Sequence, residues 1–267
     1  MTTSNKTMPV LFMGHGSPMN IVLKNSYTQS LIKAAKELSK PKAILVISAH
    51  WLTNGTYVTC TEKPKTIYDF YGFPDELYKL NYPSPGSPEN AQLVTKTVKM
   101  TKVMCGNWGL DHAAWAVLKH MYPAADFPVF EMSLDYSPYN SWKPKPLEFH
   151  YKLGSELAPL REKGVLIIGS GNIVHNLGLI DHDIDAKPFE WAVKFDEIVK
   201  QRLVSGNHKE LINYPELGKG APFAIPTQDH YLPMIYALGL QRKGDTLKFI
   251  HEGFQHGSVS MRAFQIG

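Results

Sequence analysis

The chain has 267 residues, 43% of them hydrophobic and 19% charged, with 28 basic and 24 acidic side chains and a formal net charge of +4. This composition excludes disorder as a whole-chain class, and the basic residues are too scattered to form a nucleic-acid footprint. No apolar run approaches the ~20 residues that span a bilayer, and the start Met1-Thr-Thr-Ser-Asn-Lys6 lacks the apolar core of a signal peptide, so a cytoplasmic protein with no membrane partner is expected.

Short apolar runs mark the strands in chain order. Met8–Met13 leads into Gly14-His15-Gly16-Ser17-Pro18, and Ala43–Ser48 leads into Ala49-His50-Trp51. Pro128–Leu134 and Val165–Ile168 follow the same pattern, the latter leading into Gly169-Ser170-Gly171-Asn172. Runs this short, with no alternation of apolar and polar residues, suit strands buried on both faces. Between them the three- and four-residue spacing of apolar side chains predicts helices over Ser26–Ser39, Pro88–Val103, Lys143–Lys163 and Phe189–Val204. Alternation of this kind predicts one α/β domain over residues 1–267, with a central mostly parallel or mixed sheet flanked by helices. The last segments, Asp245–His251 and Ser258–Gln265, read as two late strands with no helix between them, suited to an antiparallel addition. The stretch 61–88 is long, aperiodic and rich in aromatic residues, and reads as an ordered insert near the mouth of a site.

Histidine stands out, with 11 copies. His15 and His50 are expected one or two residues past the ends of buried strands, where open α/β sheets bind ligands. His175 follows the Gly169–Asn172 turn, His230 precedes the apolar stretch Tyr231–Leu238, and His112 sits at a loop-to-helix junction. Imidazoles converging on one sheet edge would hold Zn(II) or Fe(II), since the ligand suits both. The alternative for any single one is a hydrogen-bonded loop histidine. His120, His150, His182, His208, His251 and His256 lie in polar or mid-helix contexts and receive that reading. The chain has no His-Glu-x-x-His, no dinucleotide fingerprint and no nucleophile elbow around Ser170. Cys60 and Cys105, 45 residues apart with no Cys-x-x-Cys, read as small buried hydrophobes and not as a disulfide or thiolate metal site.

Taken in order, Gly14-His15-Gly16-Ser17-Pro18, Ser48-Ala49-His50-Trp51, Tyr68-Asp69-Phe70-Tyr71-Gly72-Phe73-Pro74, Leu110-Asp111-His112-Ala113-Ala114-Trp115, Gly169-Ser170-Gly171-Asn172-Ile173-Val174-His175-Asn176, Asp229-His230-Tyr231-Leu232-Pro233 and Gly257-Ser258-Val259-Ser260-Met261-Arg262 resemble the class III extradiol ring-cleavage dioxygenases over nearly the whole chain. The resemblance implies a divalent metal held by His15, His50 and His230, with His175 as a fourth ligand or as the acid/base. It implies that His112 lines the oxygen and substrate side. One departure is that His230 stands where the wider family would have a glutamate, which leaves both Fe(II) and Zn(II) open. The activity implied is insertion of O2 into a catechol such as L-DOPA to give a ring-opened semialdehyde. A three-ligand site leaves room for a bidentate catecholate and O2, and a neutral histidine can take the second hydroxyl proton near pH 7. His175 is expected in that role with His112 as a hydrogen-bond donor, while Phe70, Tyr71 and Phe73 of the insert would cover the ring. A zinc hydrolase and a non-enzymatic binding protein on the same fold are the competing readings.

Overall fold

The computed structural model describes residues 7–100, 103–139 and 142–267. The Met1–Lys6 reading and Thr101–Lys102 lie outside the described residues, but the helix predicted over Pro88–Val103 is too long: it ends at Thr97, Val98 is extended, and Val103 already belongs to a strand. The expected strands form where the apolar runs predict them: β1 (Val10–Gly14) is followed by α1 (Ser26–Glu37), β2 (Ala43–Thr53) and β3 (Thr56–Thr59). After the insert come α2 (Pro88–Thr97), β4 (Val103–Gly106), α3 (His112–Met121) and β5 (Val129–Asp135). Then come α4 (Leu147–Leu157), α5 (Pro159–Glu162), β6 (Val165–Gly171) and α6 (Glu190–Val204). The short α7 (His208–Ile212) and α8 (Ala221–Ala224) lead to α9 (Leu232–Gly239), and β7 (Leu247–His251), β8 (Phe254–Gln255), β9 (Val259–Ser260) and β10 (Ala263–Ile266) close the chain.

Eight strands make one sheet in the order β4-β3-β5-β2-β6-β1-β10-β7, and β8 and β9 form a separate antiparallel pair. The centre, β5-β2-β6-β1, is parallel, while β10 joins β1 and β7 antiparallel, so the sheet is mixed and the late strands are the antiparallel addition. Strand alternation divides the core. Val10, Phe12, Leu45 and Ile47 face the layer holding α4, α6 and α9. Leu11, Met13, Ile44 and Val46 face the layer holding α1, α3 and the insert. With both faces covered, every residue of β1, β5 and β6 is buried. Among the described residues no helix is long and apolar enough to cross a membrane.

Several expectations change. The helix predicted over Lys143–Lys163 is two helices, because Pro146 stands just before the first turn of α4 and Pro159 opens α5. A proline inside one continuous helix would remove a hydrogen bond and clash with the preceding turn. β2 does not end at Ser48. Its pairing with β6 stops at Ser48–Ser170, its register with β5 breaks between Ile47 and Leu52, and the strand continues through His50 to Thr53. The insert is held by backbone bonds, from Leu110 to the Lys65 carbonyl at 2.7 Å and from Ile67 to the Leu110 carbonyl at 2.8 Å. The cysteines correct the sequence reading outright. Parallel pairing puts Val58 beside Cys105, and Cys60 and Cys105 form a disulfide with Cα atoms 5.5 Å apart, Cys105 being exposed. A separation of 45 residues hides this proximity, which only the β3–β4 pairing creates.

The Gly257–Arg262 segment is fixed by a buried ion pair. The Arg262 guanidinium and the Asp196 carboxylate of α6 are bound together with both side chains at most 5% exposed, and Ser260 Oγ donates to Asp196 Oδ1 at 2.6 Å. Glu252 contacts the same guanidinium at 2.5 Å from a more exposed position. Replacing one member of such a pair strands the other charge away from water, at a cost of about 3 kcal/mol or more. Asp196→Ala is therefore expected to lower the melting temperature by roughly 10 °C, read by thermal denaturation.

Candidate active site

The end of β6 organises the site. A Cβ on Gly169 would come within 2.4 Å of the Pro233 carbonyl oxygen, and one on Gly171 within 2.2 Å of the His230 carbonyl oxygen. Only glycine lets the segment entering α9 lie directly on the strand, and that contact delivers His230. The Asn172 N–H donates to the His230 carbonyl at 2.8 Å, and the His15 N–H donates to the Gly171 carbonyl at 3.2 Å. Ser170, between the two glycines, faces the opposite side. Its hydroxyl donates to the Ala113 carbonyl of α3 at 2.6 Å and lies 3.1 Å from His15 Nδ1. One strand end thus positions His15, His230 and the first turn of α3.

His15 lies immediately past β1, as expected. His50 lies inside β2, in the stretch where both ladder registers are interrupted, so the irregularity turns its ring into the site. Ring centroids of His15, His50 and His230 are 5.0–5.3 Å apart, and His112 stands 4.3 Å from His50. His175 stacks on His230 at 3.5 Å. All five sequence-predicted histidines come together. Nitrogens of His15, His50 and His112 all lie within 4.8 Å of one another, compact enough for one ion.

Hydrogen bonds assign the tautomers. Ser170 gives its proton to Ala113, so its oxygen accepts from His15 Nδ1–H. His50 Nδ1 lies 2.9 Å from Asp69 Oδ2, and His230 Nδ1 lies 2.7 Å from Asp229 Oδ2, so both rings donate from Nδ1 to a carboxylate. Each then carries a lone pair on Nε2. The Nε2 atoms of His15 and His50 are 3.3 Å apart, and His230 Nε2 is buried with no partner. Lone pairs facing one another repel, and a buried orphan acceptor is costly; a shared cation relieves both. The donor set therefore fits a divalent metal.

Charge at the site follows from burial and these anchors. Burial and the neighbouring imidazoles hold His15 well below the usual histidine range. Burial also lowers His230 and His112, against the pull of Asp229 and Asp69. Burial opposes charge on His50 too, yet the Asp69 hydrogen bond and the charges of Asp111 and Asp229 raise it. His175 is held well below its usual range by burial and by His230. Despite burial, the bonds from His112 and His50 keep Asp69 ionised, and His230 does the same for Asp229.

The insert contributes unequally. The Phe70 ring is buried and meets His112 edge-on at 5.5 Å, with Phe73 5.5 Å behind Phe70. Tyr71 is 92% exposed, so the expected ring contact from Tyr71 is not made by this arrangement. Gly72 turns the backbone at a positive φ, which lets Phe73 return against Phe70 while Tyr71 points outward. The sequence reading missed the anchors Asp69, Ser170 and Asp229. Their signals were present: Asp69 adjoins Phe70, Asp229 adjoins His230, and Ser170 is framed by two glycines. Of the histidines given no role, His150 is buried in α4, with Nδ1 3.0 Å from Tyr236 Oη and Nε2 without a partner among the described residues.

Known proteins carry the same arrangement of sequence and fold. Residues 6–263 match the family described as the catalytic LigB subunit of aromatic ring-opening dioxygenase. The chain is 43% identical to a 4,5-DOPA dioxygenase extradiol of Escherichia coli K12, over 99% of this chain and 96% of that protein. A protein of the same name from Mirabilis jalapa is 35% identical over 93% of this chain and 92% of its own length. The crystal structure of an uncharacterized Escherichia coli K12 protein superposes with a TM-score of 0.83 at 39% identity, covering 97% of this chain and 100% of that one. With residues 6–263 matched and an imidazole cluster that could hold a metal ion, the chain belongs to the LigB family of aromatic ring-opening dioxygenases.

Proposed function

We propose that the chain opens a catechol ring by extradiol cleavage, acting on L-DOPA or a related catechol to give a ring-opened semialdehyde. The observation that carries this reading is the set of Nε2 lone pairs on His15, His50 and His230, each fixed by an Nδ1 bond to Ser170, Asp69 or Asp229. Those three residues would hold the metal. A divalent metal bound by three protein ligands supplies a centre with room for both catechol oxygens and O2 together. The names of the relatives support a DOPA-like substrate.

The remaining residues do protein chemistry around that centre. His175 makes no side-chain hydrogen bond among the described residues, unlike the anchored rings, and lies flat on His230. A neutral, unanchored imidazole is suited to accept the proton of a catechol hydroxyl and return it to the product oxygen. His112 has its Nδ1 committed to Asp69 at 2.9 Å. Its Nε2 accepts a proton while the ring is neutral and donates a hydrogen bond toward oxygen once the ring is charged, with Asp69 stabilising that charge. Phe70, backed by Phe73, offers an apolar edge to the substrate ring and excludes water from the His112 side.

Three outcomes test this reading. His15→Ala, His50→Ala and His230→Ala should each stay folded and lose stoichiometric metal by elemental analysis, a loss well beyond the ~10–100-fold expected when only an anchor is removed. Full occupancy in these variants would refute the ligand set. Zinc has no redox chemistry, so zinc-loaded protein should be silent toward catechols while anaerobic Fe(II) reconstitution produces oxygen uptake and a yellow semialdehyde. Equal dioxygenase rates for the two metals would contradict the mechanism, and hydrolysis by the zinc form alone would favour a hydrolase. His175→Gln should keep metal content and catechol binding while turnover falls ~10²–10⁴-fold. Recovery of near-normal turnover on saturation with Fe(II) would make His175 a ligand instead.

A further inference from the structure

Behind the imidazole cluster lie two carboxyl groups with no part in the mechanism above. Asp111 stands directly before α3 and Glu131 lies within β5, and both are 0% exposed. Glu131 Oε1 accepts the Asp111 backbone N–H at 2.9 Å, and Asp111 Oδ1 accepts the Ala114 N–H at 3.2 Å, capping the helix. The Glu131 backbone N–H is tied to Thr59 Oγ1 at 2.9 Å, which locks the residue to β3. The second oxygen of each carboxyl, Glu131 Oε2 and Asp111 Oδ2, is buried with no partner.

Two acceptor-only carboxylates in this place would leave Glu131 Oε2 unsatisfied and set two like charges against one another. One proton removes both problems, because a carboxylic acid is a donor where a carboxylate is not. We infer that Glu131 is a neutral carboxylic acid that donates from Oε2 to Asp111 Oδ2, and that this bond makes Glu131 a positioning residue for His112. Burial, followed by the charge of Asp111, pushes Glu131 well above the usual carboxyl range, in agreement with the geometry. Burial and the charge of Asp69 also raise Asp111, while His50, the Ser48 hydroxyl and His112 oppose them.

The link to the site is short. His112 is the first residue of α3, so the cap at Asp111 sets where its ring begins. From there the His112 N–H and Nδ1 both reach Asp69, at 2.8 and 2.9 Å. Asp69 in turn anchors His50. A shift of the Asp111 cap would therefore move His112 relative to the substrate edge while leaving Asp229 in place as the anchor of His230. The kinetic part of this inference rests on the proposed ring-opening reaction; the protonation state does not.

The test compares Glu131→Gln with Glu131→Leu in the iron-loaded full chain. The glutamine amide can still accept the Asp111 N–H and donate to Oδ2, whereas leucine does neither. Infrared spectra of the wild type at neutral pH should contain a protonated-carboxyl C=O band that shifts in D2O and is absent from Glu131→Gln. Glu131→Gln should retain turnover within about threefold of the wild type, while Glu131→Leu should lose kcat by ~10–100-fold with KM little changed and no rescue by added Fe(II). If Glu131→Leu does not fold, the band and the glutamine variant decide alone. Absence of the band in the wild type, or a glutamine variant as impaired as the leucine one, would overturn the inference. Should the wild type open no catechol, the functional reading fails, and a band lost in Glu131→Gln would still support the neutral acid.

Discussion

The backbone at His230 and Pro233 lies directly against the glycines of β6. It sets the geometry of nearly everything around the site. Because Gly169 and Gly171 carry no side chains, the segment entering α9 rests on the strand itself, and His230 arrives beside His15. Because Ser170 lies between them on the opposite face, its single hydroxyl joins His15 to the first turn of α3. A larger residue at either glycine would push the segment entering α9 off the sheet and separate His230 from His15. The constraint is steric, and the electrostatic design is built on it.

That design keeps several imidazoles neutral in one buried place. Clustered histidines resist charging because burial and mutual repulsion both oppose it. Asp69 and Asp229 then fix which nitrogen carries the proton, so lone pairs point inward and charge stays at the periphery. Asp69 does this for two rings at once, which couples His50 on one side of the site to His112 on the other. His175 escapes such anchoring, and under the proposed reaction this difference suits it to moving a proton while the anchored rings hold the metal. Behind them, Asp111 and Glu131 carry the requirement for satisfied buried polar atoms one layer further from the site.

The insert between β3 and α2 shows how partial a linear reading is. Its aromatic content announced an ordered segment, and the bonds of Lys65 and Ile67 with Leu110 supply that order. The content did not tell which aromatic faces inward. Phe70 packs on His112 and Tyr71 points to solvent, a choice made by backbone direction and not by residue type. The same limit applies to Cys60 and Cys105, whose disulfide follows from the pairing of β3 with β4.

The sequence by itself determined the α/β class, the order of the main strands, the antiparallel end and the five histidines that meet. Those features are local: an apolar run is buried wherever it lies, and a histidine placed at the end of such a run stays near a sheet edge. Pro146 and Pro159 were legible too, as breaks that the periodicity of Lys143–Lys163 concealed. Only the tertiary structure decided which nitrogen of each ring faces inward, since Ser170 and Asp69 meet His15 and His50 from distant parts of the chain. It also decided that β2 runs on through His50 and that Glu131 lies against Asp111. These depend on register and through-space contact, where a shift of one residue or about 1 Å changes the partner, and no pattern along the chain encodes that distance.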